Sequence, residues 1–175
     1  VFGAAMTLAG STTGMTIAVV PLELNVNGLG GWSGLVIFLA IFVGFLCQPF
    51  ARRMSNAGSL ALGFVLIPLG FFVLLAGVWF GVLVLVLAGT CITSAASYGF
   101  SYLAALAEVT ARAPNDRARA TAGLFVCAYF GFSLPVIGSG VLADMFGLFT
   151  AMLVFGVVQL LAVIGVVIAW HKGRS

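Results

Sequence analysis

The chain has 175 residues, of which 63% are hydrophobic and only 6% are charged, and its mean hydropathy is +1.27. A soluble domain carries about 25% charged residues, so this composition excludes an ordinary water-soluble fold. The formal net charge of +3 gives no reason to expect a nucleic-acid partner, because a bias of basic residues to one side of a membrane explains it. The composition predicts an all-α integral membrane protein with the lipid bilayer as its first partner.

Six membrane-spanning helices are predicted, since one span needs about 20 predominantly apolar residues. Residues 60–107 carry no Lys, Arg, Asp or Glu. At about 1.5 Å per residue this stretch is too long for one crossing of a core about 30 Å thick, so it must cross twice. We expect a single domain, residues 1–175, with helices at about residues 2–22, 32–50, 59–78, 81–108, 120–143 and 148–170.

The seven basic residues fall into three clusters, after the second helix, after the fourth helix and at the end of the chain. An even number of crossings separates successive clusters, so all three return to one side. The positive-inside rule then predicts a multi-pass protein of the bacterial inner (plasma) membrane with both termini in the cytoplasm. The basic residues are Arg52, Arg53, Arg112, Arg117, Arg119, Lys172 and Arg174.

Hydroxyl side chains are concentrated on the first, fourth and fifth helices, whereas the third helix is almost wholly apolar. Along the fourth helix they recur at steps of three and one, which is one face of a helix with a period near 3.6. That stripe comprises Thr90, Thr93, Ser94, Ser97, Tyr98, Ser101 and Tyr102.

Lipid cannot hydrogen-bond such groups, so they face protein or a water-filled cavity. Ser and Thr often join membrane helices to one another, and that interpretation stays open. The length of the stripe and its two tyrosines favour the lining of a water-filled cavity. The predicted cavity residues are Thr12, Thr13, Thr16, Thr93, Ser94, Ser97, Tyr98, Ser101, Tyr129 and Ser133.

Small residues predict where helices approach one another closely. Gly10 and Gly14 form a GxxxG pair, and glycines recur every seven residues along the third helix. The fifth helix has a small residue or proline at every fourth position. These positions are Gly123, Cys127, Gly131, Pro135 and Ser139.

Catalysis, a metal and a cofactor are not expected. The three cysteines lie in apolar spans without CxxC spacing, which is typical of buried small side chains. The only histidine, His171, lies in the tail, so a membrane-embedded Ser–His pair is not available. The NPA repeats of a water channel are absent. The sequence therefore predicts a protein that is not an enzyme.

Three segments resemble one half of a major facilitator superfamily transporter. Gln48–Met54, Q-P-F-A-R-R-M, is similar to the inner loop between the second and third helices of a half. Leu106–Gly123 is similar to the loop between the fourth and fifth. Gly140–Gly147, G-V-L-A-D-M-F-G, resembles the G-x-L-A-D-x-x-G signature. It is similar to the second copy of that signature that is often found before the last helix of a half. The first loop lacks the acid of that signature, which favours the C-terminal half.

The resemblance implies a six-helix bundle built of two three-helix inverted repeats, with helices 1, 2, 4 and 5 around the cavity or its gates and helices 3 and 6 against lipid. It implies transport of a small-molecule substrate by alternating access, together with another six-helix half. Six spans and a first residue other than Met lead us to expect a half or a fragment of a longer transporter. The alternative is a non-transporting structural or assembly protein whose hydroxyl stripe packs against partner helices.

No ionisable residue is predicted at mid-depth, so the transporter is either a uniporter or a proton-coupled symporter or antiporter whose coupling group lies in the other half. Glu108 with Arg112 is an i, i+4 pair at an inner helix end. It is either a solvated helix end or, on the resemblance, an inner gate that Glu108 forms with Arg117 or Arg119. The implied gate residues are Arg52, Arg53, Glu108, Arg112, Arg117 and Arg119.

Overall fold

The computed structural model describes residues 2–172, and that part of the chain is helical with no strand. Arg174 lies outside the described residues. Six helices are long and apolar enough to cross a membrane, which confirms the predicted all-helical, multi-pass organisation. They are α1 (Phe2–Val26), α2 (Gly30–Ala51), α3 (Asn56–Phe80), α4 (Leu83–Arg112), α5 (Arg117–Phe146) and α6 (Leu148–Lys172).

Five of the six helices run a few residues further than the sequence predicts, whereas α4 begins at Leu83 rather than near residue 81 and ends at Arg112. Ser55 caps the start of α3 and accepts a hydrogen bond from the Gly58 amide at 3.1 Å. Gly81, with φ 65°, ends α3 in the left-handed conformation that glycine adopts without steric cost. Asp116 stands at the N-cap of α5, but its side chain makes no capping bond.

The first helix does not end at about residue 22, as predicted, but contains a break within the span. A first helical segment, Phe2–Ala18, is followed by a second, Val20–Val26. Pro21 occupies the first turn of the second segment, where its missing N–H would have no partner anyway. The proline therefore restarts the helix rather than stopping it.

The six helices place the basic residues that the structure describes at one end of the bundle, called here the basic end. Asn56 of α3 contacts Glu108 of α4, and Arg112 lies against Phe2 of α1. The starts of α1 and α3 therefore meet the end of α4. Trp170, near the end of α6, lines the same small cavity as Glu108 and Arg112.

Glycines of α1, α3 and α5 allow close helix contacts. A Cβ on Gly10 would collide with the Ala128 carbonyl, and one on Gly131 with the Thr7 carbonyl. Gly70 and Gly77 of α3 lie similarly against the backbone of α4. Side chains longer than hydrogen would push these helices apart. Gly123, by contrast, faces open space.

The resemblance implied that α3 and α6 lie outside, but α3 supplies much of the core. Phe64, Ile67, Phe71 and Leu74 of α3 are fully or almost fully buried against neighbouring helices. The helices with the smallest buried share are α5 and α2. An apolar helix can thus serve a protein core as well as a lipid contact, and composition alone does not distinguish the two.

Candidate solute cavity

A cavity of about 650 Å³ lies between α1, α4 and α5. This volume falls within the range of about 300–1,000 Å³ that is usual for small-molecule sites. The close approach of α1 and α5 at Gly10 forms part of its wall. Five of the predicted residues line it, one or two from each helix. They are Thr13, Ser97, Tyr98, Tyr129 and Ser133.

The lining is aromatic and uncharged. Among the described residues that line it there is no Asp, Glu, Lys, Arg or His. Aromatic rings come from α4 and α5, and they offer broad faces on which a flat apolar solute can pack. These rings belong to Tyr98, Tyr102, Phe125, Tyr129 and Phe132.

The Ser97 hydroxyl is the cavity group with unmet hydrogen-bonding capacity. Ser97 is 1% exposed, and its Oγ has no partner among the described residues. The Thr13 hydroxyl, by comparison, donates to the Ala9 carbonyl at 3.0 Å. A buried hydroxyl without a partner costs about 1–3 kcal/mol. A solute polar group that reached Ser97 would remove this cost.

Tyr129 marks the open side of the cavity. Its side chain is 71% exposed, whereas Ser97 forms part of the buried wall. A solute could therefore reach the cavity past Tyr129 and meet Ser97 at its inner surface. Tyr98 lies close enough to interact with the Thr13 side chain, which connects the α1 and α4 walls.

The other predicted cavity residues lie in packing seams. Ser94 Oγ accepts a hydrogen bond from the Gly44 amide of α2 at 2.8 Å, and the fully buried Ser101 lies against Gly63 of α3. Thr16 and Thr93 donate to carbonyls of their own helices. With Thr13, Ser94 and Ala40 they surround a gap that has no room for a water molecule.

Thr12 also lies away from the cavity. Its hydroxyl donates to the Leu8 carbonyl at 2.8 Å and accepts a hydrogen bond from the Gln159 amide of α6. Gln159 has only 2% of its surface exposed. The Thr12–Gln159 contact joins α1 to α6, so Thr12 belongs to the helix packing.

A π-helical segment explains why the α4 stripe divides. Residues Ala95–Ser101 form a π-helix between the α-helical segments Leu83–Ser94 and Tyr102–Arg112. Each i→i+5 turn takes up an extra residue, so hydroxyls spaced for a regular α-helix lose their common face. Ser97 and Tyr98 reach the cavity, while Ser94 points to α2 and Ser101 to α3.

Sequence reasoning missed the α5 aromatics of the cavity. Phe125 and Phe132 read as ordinary lipid-facing residues when taken singly. Their spacing relative to Tyr129 could have identified them as cavity residues, because positions i, i+4 and i+7 share one helix face. The same face carries Ser133, which the polarity pattern did find.

At the basic end, Glu108 forms the predicted i, i+4 pair with Arg112 and no ion pair with Arg117 or Arg119. Its carboxylate lies 3.3 Å from Arg112 Nη2 and accepts a hydrogen bond from Asn56 Nδ2 at 3.0 Å. The Arg112 guanidinium lies 4.5 Å from the centre of the Phe2 ring, a cation–π geometry. We call Phe2, Asn56, Glu108 and Arg112 the basic-end cluster.

The remaining predicted gate residues stand apart from this cluster. Arg52, Arg53, Arg117 and Arg119 are exposed, and none forms an ion pair within residues 2–172. The gate between Glu108 and Arg117 or Arg119 is not formed in this conformation, because the adjacent Arg112 and Asn56 occupy the Glu108 carboxylate.

Comparison with known proteins adds no relative. No family model matches the chain, and neither a curated protein nor a solved structure is significantly similar to it. No group of His, Cys, Asp or Glu that could hold a metal ion occurs in the part of the chain that the structure describes. The cavity itself is therefore the basis for any functional argument.

Proposed function

We propose that this chain is a transport bundle of the major facilitator type. It moves a small uncharged solute across the membrane by alternating access, together with a second six-helix bundle. On this proposal α1–α3 and α4–α6 are the inverted repeats, the basic end faces the cytoplasm, and the protein resides in a bacterial inner membrane.

The observation that carries the proposal is the uncharged cavity between α1, α4 and α5, with the unpartnered Ser97 in its wall. Ser101, which packs against Gly63, also lacks a hydrogen-bond partner among the described residues, so a missing bond alone does not mark a solute site. Ser97 differs because it borders an open cavity, where a solute has room to bind and to supply the missing hydrogen bond.

The cavity chemistry indicates the class of solute. Without a fixed charge, the lining offers nothing to balance a charged solute, whose burial would be costly. Aromatic faces and a hydroxyl suit a neutral molecule with a flat apolar part and a polar edge. Any proton-coupling carboxylate would belong to the second bundle, since no acidic residue lines this cavity.

The rival proposal, a structural or assembly protein, also has an observation in its favour. Part of the hydroxyl stripe does pack between helices, as Ser94 and Ser101 do. The two proposals differ in what they require of Ser97. The transport proposal requires the Ser97 hydroxyl to bind a solute, whereas the assembly proposal gives this hydroxyl no role of its own.

The test compares two serines of the same helix. Uptake of uncharged aromatic glycosides and nucleosides, which cross lipid slowly, is measured in liposomes that contain the complete protein. Ser97→Ala removes a solute contact and should lower transport efficiency about tenfold, the equivalent of one hydrogen bond of about 1.4 kcal/mol. Ser101→Ala, a change in the packing seam, should leave efficiency within about twofold.

Two results would contradict the proposal. Absence of saturable uptake for every solute of the panel would favour the assembly protein. Equal losses from Ser97→Ala and Ser101→Ala would show that both serines act through packing.

A further inference from the structure

A second cavity, of about 340 Å³, lies on the other side of α1, between α1, α5 and α6. We call it the lateral crevice. Its wall is mainly apolar, and α6 contributes Val154 and Val158, whose side chains are 40% and 58% exposed. In a membrane these two residues face lipid, so the crevice opens to the bilayer rather than to water.

Two polar side chains in the crevice wall have unused hydrogen-bonding capacity. Gln159 donates its amide N–H to Thr12, but its buried Oε1 has no hydrogen bond among the described residues. Ser139 borders the crevice and is 4% exposed, and its hydroxyl forms no hydrogen bond to a described residue. Lipid cannot supply the missing bonds. An acceptor from α6 and a hydroxyl from α5 therefore line one apolar crevice with unused hydrogen-bonding capacity.

The depth of Gln159 decides what kind of ligand can reach it. Gln159 is near the middle of α6, about 16 Å from Leu148 at 1.5 Å per residue. That is about half of a bilayer core about 30 Å thick. A phospholipid keeps its charged headgroup at the interface, so its headgroup cannot bond to Gln159. An uncharged amphiphile dissolved in the core can.

We propose that the lateral crevice binds an uncharged, membrane-dissolved amphiphile with a hydroxyl group, such as a long-chain alcohol. Its O–H donates to Gln159 Oε1 and its oxygen accepts from the Ser139 hydroxyl. Its apolar body lies along Val154 and Val158. No ionisable side chain of residues 2–172 lines the crevice, which is why the ligand is uncharged.

The probe is hexadecanol carrying a photoreactive diazirine, applied to the complete protein in lipid nanodiscs. Cross-linked peptides are quantified by mass spectrometry. The alcohol should label peptides of α5 and α6 that border the crevice, about tenfold more than its methyl ether, which cannot donate a hydrogen bond. Gln159→Met keeps the shape of the side chain, removes the acceptor, and should lower labelling by the alcohol to the level of the ether.

A glycine pair supplies a control that does not depend on Gln159. Gly138 borders the crevice and Gly140 does not, and a Cβ at either position meets no atom within 4 Å. Gly138→Leu should fill the crevice and abolish the labelling, whereas Gly140→Leu should leave it unchanged. Equal labelling by alcohol and ether, or full labelling of the Gly138→Leu protein, would overturn the proposal. So would labelling confined to Phe125 and Tyr129 of the solute cavity.

Discussion

The Arg112 side chain makes both charged contacts of the basic-end cluster, the ion pair with Glu108 and the contact with the Phe2 ring. Replacing Arg112 with Gln removes both. Exposed ion pairs and cation–π contacts are each worth about 0–1 kcal/mol, so the expected loss of stability is about 1 kcal/mol.

Arg117→Gln is the matched control, because Arg117 is an exposed arginine without an ion pair among the described residues. Thermal unfolding in detergent should show a melting temperature a few degrees lower for Arg112→Gln and an unchanged one for Arg117→Gln. A lower melting temperature for Arg117→Gln and an unchanged one for Arg112→Gln would indicate that Arg117, rather than Arg112, is the structural partner of Glu108.

Between elements, the closest seam is that of α1 and α5, where Gly131 lies on the Thr7 carbonyl. Gly131→Ala would place a Cβ into this carbonyl and force the helices apart, at a cost of about 1–3 kcal/mol. Gly123→Ala on the same helix meets open space and should be neutral or slightly stabilising, because alanine favours a helix. The melting temperatures of the two variants measure the difference in stability. A Gly131→Ala protein as stable as the wild type would contradict the close packing of α1 against α5 at this position.

The elements also show how far sequence can predict this molecule. Six spans follow from apolar length and charge placement, because the bilayer imposes both. Gly10 and Gly131 could be assigned to helix contacts, since in lipid small residues are the ones that let backbones approach. The division of the α4 stripe could not be predicted. Nothing in the hydroxyl spacing indicates the π-helix of Ala95–Ser101 that separates Ser97 from Ser101.

The sequence also could not show which residues of other helices a side chain would contact. The hydroxyl pattern marked Thr12 for the cavity, but the sequence could not show that Gln159 of α6 would meet it. Asn56 was missed as a Glu108 partner for the same reason, since residues that far apart meet only through the arrangement of α3 and α4. Helix periodicity predicts a face, and the neighbour of that face depends on tertiary packing.

At the scale of the whole molecule, we propose that the solute cavity opens alternately to the two sides of the membrane. Ser133 lies in the cavity and is exposed, so a cysteine there reports access. Ser101 is fully buried in the α3–α4 seam and gives the matched control. Arg117→Cys, at the basic end, reports which side of the membrane each preparation presents.

The measurement is the labelling rate of Ser133→Cys by an impermeant thiol reagent, in right-side-out and in inside-out membrane vesicles. The native Cys47, Cys91 and Cys127 are first replaced by alanine. Alternating access predicts labelling of Ser133→Cys from both sides, labelling of Ser101→Cys from neither, and labelling of Arg117→Cys in inside-out vesicles alone. Labelling of Ser133→Cys from one side only, or from neither, would contradict the account.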